Sequence, residues 1–238
     1  MCDEWMPVLQ LRLTGEEFRQ LPRHPAYRYE YHAGTAWCNP RPRYYHAVLD
    51  LPAAVIDGAA EVPVRRIRDD DWEPLVPLFA DAFAGFQPFF GQPEHLRRLT
   101  ARQCLEQTRA GGDGPWVQAA SYVAQASDGG LLGAILVTLL PLGDPSDWNT
   151  YSWDEPPAPD CVERRLGQPH LTWVFVHPRR AGRGVGSALL QASADVLDEM
   201  DYPGLLSTFL LGNESSMLWH WRAGFRLLTY PGSRRRER

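Results

Sequence analysis

The stretch HPRRAGRGVGSALL at 177–190 constrains this chain more than any other part of it. It follows a strand-like run, HLTWVFV (170–176), and opens a helix-like one, SALLQASADVLDEM (187–200). A strand that turns through glycines into a helix leaves the first helical N–H groups without backbone partners, and the helix dipole adds positive potential there. Such a turn is suited to an anion, phosphate above all. Gly182, Gly184 and Gly186 permit left-handed backbone and the close approach of a bulky ligand. The competing reading is a tight turn before an amphipathic helix, with no ligand.

Two phosphate motifs do not fit. A Walker-type loop needs a lysine after its glycines, and all 24 basic residues here are arginine. A Rossmann turn sits early in a chain and reads GxGxxG. Here the glycines come late, and the third position is Ser187 counted from Gly182 or Leu189 counted from Gly184. The string instead resembles the acyl-CoA signature of the GNAT superfamily of N-acetyltransferases, [QR]-x-x-G-x-[GA] after a strand ending in V-x-P. Val176, His177 and Pro178 supply that ending, with Gly184 and Gly186 as the motif glycines. Ala181 stands where the family has Gln or Arg, flanked by Arg180 and Arg183. A second motif follows: the strand-like GLLSTFLL (204–211), then Asn213, Ser216, His220 and Gly224-Phe225 at the family's spacing. The family usually has tyrosine where this chain has His220. The resemblance covers about residues 63–231.

The resemblance implies an α/β fold, a mixed and largely antiparallel central sheet flanked by helices, with acetyl-CoA as cosubstrate. It assigns cofactor contacts to Val174, Val176, Arg180, Ala181, Gly182, Arg183, Gly184, Val185, Gly186, Ser187 and Asn213. It also implies that the strand at 170–176 splays from its neighbour. Backbone near Val174 and Val176 then holds the pantetheine arm, and the Val174 amide polarises the thioester carbonyl. A base about six residues before Val176 falls on His170, with Glu163 in reserve. An imidazole of ordinary pKa is mostly neutral near pH 7 and can take the amine's proton. His220 is the candidate acid for the leaving thiolate. Each histidine has a structural alternative, and a thiol of pKa about 8.5 also leaves unaided. A His170–His220 metal site is a poor prospect without a nearby acid.

Composition narrows the remaining choices. A net charge of −5 argues against nucleic acid as a general partner, and SRRRER (233–238) reads as a solvated tail. No apolar run approaches the length of a membrane span, and MCDEWMPVLQ lacks signal-peptide features, so a cytoplasmic location is expected. Cys2, Cys38, Cys104 and Cys161 are scattered, which speaks against a disulfide framework or zinc.

Residues 1–60 read as a β-rich extension and 61–238 as the acyltransferase-like domain. Thr14-Gly15-Glu16-Glu17 has the capping-box pattern. YRYEYH (27–32), TAWC (35–38) and YYHAVLDL (44–51) suggest a small meander that extends a sheet, covers an edge or supports a homodimer, and 51–63 reads as a linker. Then come a strand at 64–68, helices at 72–83 (with Pro77 inside) and 93–110, and strands at 117–126 and 131–140 joined by Ser127-Asp128-Gly129-Gly130. Apolar spacing places Leu96, Leu99, Cys104 and Leu105 inward on one helix, and Val185, Ala188, Leu189, Ala192, Val196 and Met200 on the later one. Phe83, Phe86, Phe89 and Phe90 are candidates for an acceptor wall or for core. The long 141–169 segment, with Trp148, Tyr151, Trp153, Asp154 and Glu155, is a candidate acceptor-side lid.

The expected activity is acetyl transfer from acetyl-CoA to a primary amine, small molecule or peptide, by direct attack in a ternary complex. The alternatives are a non-catalytic acyl-CoA sensor on the same fold and a function seated in residues 1–60.

Overall fold

LLGAILVTLL, apolar along its whole length, forms β7 (Leu131–Leu140), buried from Gly133 onward. Only a strand covered on both faces tolerates such a run. Ala134 and Leu136 join one core with Phe79, Phe89, Leu105 and Phe175. Ile135, Val137 and Leu139 point the other way, against Leu189, Leu190, Leu197 and Leu205. That period of two divides the molecule into layers. Each such side chain contributes roughly 1.5–3 kcal/mol on burial.

The computed structural model describes residues 9–22, 27–40, 44–53, 55–86, 89, 91–145, 153–210 and 213–228. The remaining elements are β1 (Leu9–Arg12), α1 (Gly15–Gln20), β2 (Tyr27–His32), β3 (Thr35–Pro40), β4 (Tyr44–Asp50), β5 (Val64–Arg66), α2 (Trp72–Ala82), α3 (Glu94–Arg109), β6 (Tyr122–Gln125), β8 (Gln168–Val176), α4 (Val185–Glu199), β9 (Gly204–Leu210), α5 (Glu214–Arg222) and β10 (Arg226–Leu227). A seven-stranded sheet runs β10-β4-β9-β8-β7-β6-β5, and a three-stranded one runs β1-β3-β2. In the large sheet all pairs but β8–β9 are antiparallel. This is the mixed, largely antiparallel sheet flanked by helices that the sequence implies.

Several local expectations hold. Thr14 and Glu17 close the capping box of α1. The β6–β7 hairpin turns at 126–130, where the Ala126 and Gly129 amides complete the turn. Pro77 sits within an unbroken α2.

Other expectations are corrected. The third strand of the small sheet is β1, not 44–51; β4 enters the large sheet between β9 and β10 instead. Sheet membership therefore does not divide at residue 60. The 51–63 segment is also more than a linker, since Ile56 is buried and its amide donates to Gln191 Oε1 at 2.8 Å. In α4 the fully buried face is Val185, Leu189, Leu190, Ser193, Ala194 and Leu197; Ala188, Ala192, Val196 and Met200 are half-buried. Ala192, Val196 and Met200 still pack on the core, and Ser193 joins the buried face because its hydroxyl donates to the Ala120 carbonyl at 2.8 Å. In α3, Leu96 and Leu99 are exposed, whereas Ala101, Cys104, Leu105 and Thr108 are buried. That helix packs on α2 and the sheet only through its C-terminal half. Cys38, Cys104 and Cys161 are free thiols, while Cys2 lies outside the described residues.

Candidate functional site

A bulge sets the site. Leu136 of β7 faces Trp173 and Val137 faces Leu171, so Thr172 is an extra residue in β8. On its other side β8 pairs with β9 only through His170–Leu206 and Leu171–Ser207. Beyond that point the strands diverge, as the sequence implies, and a cavity of about 500 Å³ opens at the fork. His170, Thr172, Val174, Ser207, Thr208, Asn213 and His220 all line it, so both proposed catalytic histidines face one space. Phe83, Phe86 and Phe89 form part of its wall, with Trp153 and Trp173. The two readings of the phenylalanines thus merge: Phe89 is also core, at 1% exposure. Phe90, Trp148, Tyr151 and residues 233–238 lie outside the described residues.

His170 is buried between two hydroxyls, with Nδ1 3.3 Å from Thr172 Oγ1 and Nε2 3.0 Å from Thr208 Oγ1. Burial, reinforced by neighbouring His46, holds its pKa down to about 3. Thr172 continues to Thr138 at 2.8 Å, and the Thr138 hydroxyl donates to the Asp113 carbonyl at 2.9 Å. Glu163, Asp154 and Glu155 are exposed and outside the cavity lining, which removes Glu163 as a nearby base and the two acids as lid contacts.

His220 projects from the middle of α5, whose N-terminus Asn213 caps by accepting the Ser216 amide at 3.0 Å. Its Nδ1 lies 2.7 Å from the Ser216 carbonyl, which can only accept, so Nδ1 carries hydrogen. Nε2 therefore accepts the Ser207 hydroxyl, 2.7 Å away. The ring stacks on Phe209 with centroids 4.2 Å apart, and burial lowers its pKa to about 4. These contacts fit a neutral imidazole that accepts from Ser207, since an apolar slot solvates an imidazolium poorly.

The glycine loop stands apart from the cavity lining. Gly184 has φ +80 and is the N-cap of α4. Among the described residues, no protein acceptor takes the amides of Arg183, Gly184, Val185 or Gly186. Arg180, Ala181, Gly182 and Arg183 are exposed, Val185 is buried, and Ser187 and Val176 are half-buried. One side of the loop is covered: a Cβ on Gly184 would lie 2.0 Å from the Gly58 carbonyl oxygen, and the Ala60 amide donates to the Gly184 carbonyl at 3.1 Å. A run of orphan amides with basic neighbours suits a pyrophosphate. The cavity at the fork suits a thioester and an acceptor.

Sequence reasoning missed Asp113, Ser207 and the Thr138–Thr172–Thr208 group. Nothing in the spacing of these common residue types marks them; the bulge and the loop after α3 bring them together.

A strand fork beside a glycine-capped helix defines a protein of the acyl-CoA-dependent transferase architecture. The acetyltransferase (GNAT) family profile matches residues 103–225, and the chain belongs to this family. No curated protein matches it in sequence. Among solved structures it is similar to a GCN5-related N-acetyltransferase from Sphaerobacter thermophilus (14% identity, TM-score 0.53), covering 95% of this chain and 58% of that one. It is also similar to a functionally unknown conserved protein from Staphylococcus epidermidis (10%, TM-score 0.48), covering 79% of this chain and 58% of that one. A third is a GNAT family acetyltransferase from Brucella melitensis in complex with acetyl-CoA (20%, TM-score 0.44; 71% and 88% covered). This chain therefore spans less than two thirds of the length of two of these proteins. Among the described residues no helix is long and apolar enough to cross a membrane.

Proposed function

We propose that this protein transfers an acetyl group from acetyl-CoA to an amine that enters the aromatic side of the cavity. The observation that carries the reading is the fork itself: β8 and β9 part immediately after Leu171–Ser207, opening a strand edge beside a run of unpaired helix N-terminal amides. The loop 182–187 holds the pyrophosphate, and the free edge of β8 near Val174 and Val176 holds the pantetheine arm. The Val174 amide draws on the carbonyl oxygen.

In this reading a C–N bond forms as the C–S bond breaks. His170 cannot drive deprotonation of a free alkylammonium, since a gap of about 7 pKa units corresponds to roughly 9.5 kcal/mol. The amine instead reacts as its neutral species. Its N–H becomes far more acidic once nitrogen bonds to carbon, and His170, too buried to keep a proton, passes it on to solvent. On the other face His220 holds Ser207, and the thiolate leaves without a dedicated acid. A non-catalytic acyl-CoA sensor is the second reading, favoured by the neutral His220 in place of an acid.

Calorimetric titration with acetyl-CoA, CoA and ATP, followed by amine-dependent thiol release, tests both. Binding of both CoA species but not ATP, with release of CoA on adding amines, is expected. Binding without release selects the sensor. No binding overturns both.

A further inference from the structure

Resting on that reading, we propose that the acceptor carries a second nitrogen: one amine reacts beside His170 while another, protonated, sits against the Asp113 carboxylate. Among the described residues lining the cavity, Asp113 is the only aspartate, glutamate or arginine. Its Oδ1 accepts Gln107 Nε2 at 2.7 Å and its Oδ2 accepts the Thr108 hydroxyl at 2.6 Å. Both donors are neutral, and no ion pair among the described residues includes Asp113. Thr108 is fixed in turn by the Trp173 indole, which donates to its oxygen at 2.9 Å. A half-buried carboxylate is thus held by two neutral donors, with no cationic side chain paired to it among the described residues.

The same cavity also carries aromatic rings. Phe83 lies 5.8 Å from Trp173 and 5.9 Å from Phe89 between ring centroids, and all three line the cavity. Aromatic faces attract ammonium groups where water is excluded. His170 lies on the same cavity and is linked to the backbone carbonyl of Asp113 by three hydrogen bonds through Thr172 and Thr138. A neutral nitrogen at one end and a protonated one at the other describes a diamine. Gly114 keeps the turn in place, since with φ +102 its missing Cβ would lie 2.1 Å from the Leu139 carbonyl oxygen.

The test compares 1,5-diaminopentane with pentylamine, using the intact protein and its Asp113→Asn variant. For the diamine, Asp113→Asn is expected to raise KM about 30-fold with kcat nearly unchanged, the signature of lost binding. For pentylamine the two proteins are expected to match. An equal loss for both amines, or no loss for either, overturns the assignment. Calorimetry with each amine in the presence of CoA separates this from failure of the transfer reading. Diamine binding that Asp113→Asn abolishes supports the Asp113 site even without turnover; no diamine binding refutes it. An unchanged melting temperature shows that the variant folds.

Discussion

His170, His46 and His220 are buried neutral, with pKa values held near 3, 4 and 4 by loss of solvation. In the unfolded chain each returns to about 6.5 and binds a proton more readily. Below that pH the unfolded state gains protons that the folded state refuses, so stability is full above about 6.5 and falls as pH drops toward 4. With three such groups the slope approaches about 4 kcal/mol per pH unit, at roughly 1.36 per group. Melting temperatures measured between pH 8 and 4 should therefore decline steeply below 6.5; a flat profile would show these imidazoles solvated. On the proposed mechanism the same depression bears on turnover. His170→Gln should lower kcat by about 100-fold, within the range of a lost proton acceptor, without changing the form of the pH–rate profile. A limb near pH 6.5 that disappears in the variant would show that His170 titrates normally. His220→Phe tests the other wall: it strands the Ser207 hydroxyl in an apolar slot and should cost roughly 1–3 kcal/mol of stability, read by denaturant unfolding.

The turn into α4 joins the proposed pyrophosphate loop to a packing constraint. Gly184 takes a left-handed conformation that glycine tolerates, and the 58–60 backbone lies where its side chain would be. Gly184→Ala should therefore displace this strap and destabilise the protein by more than about 1 kcal/mol, apart from any effect on CoA affinity. Thermal unfolding of the unliganded variant checks this, and an unchanged melting temperature would show that the strap is loosely held. Arg183→Glu is the cleaner probe of the anion reading, because Arg183 is exposed and its side chain supports no described contact. At α5 the reading from sequence holds almost to the residue: Asn213 caps, Gly224 follows the end at φ +89, and His220 lies between.

The architecture of the whole chain depends on β4. It pairs with β9 from Tyr44–Leu210 to Asp50–Gly204 and carries β10 on its far side. Removing residues 1–60 would strip this strand and expose the edge of β9, so that fragment should aggregate or fail to fold. Removing only residues 1–40 takes the small sheet and should leave the large one intact. Circular dichroism and gel filtration of the two fragments distinguish these outcomes; a folded 61–238 fragment would make β4 dispensable. The glycine loop, the 126–130 turn, the α5 cap and the strand-plus-helix order were legible because each is written in neighbouring residues, through left-handed backbone, capping oxygens and alternation of apolar side chains. Tertiary structure alone decided that β4 leaves its meander, that α3 packs through its C-terminal half, that His220 meets Ser207 and the Ser216 carbonyl, and that Asp113 faces the cavity. Pairing partners, burial and proton affinity arise from groups distant in the chain, and local pattern carries no record of them.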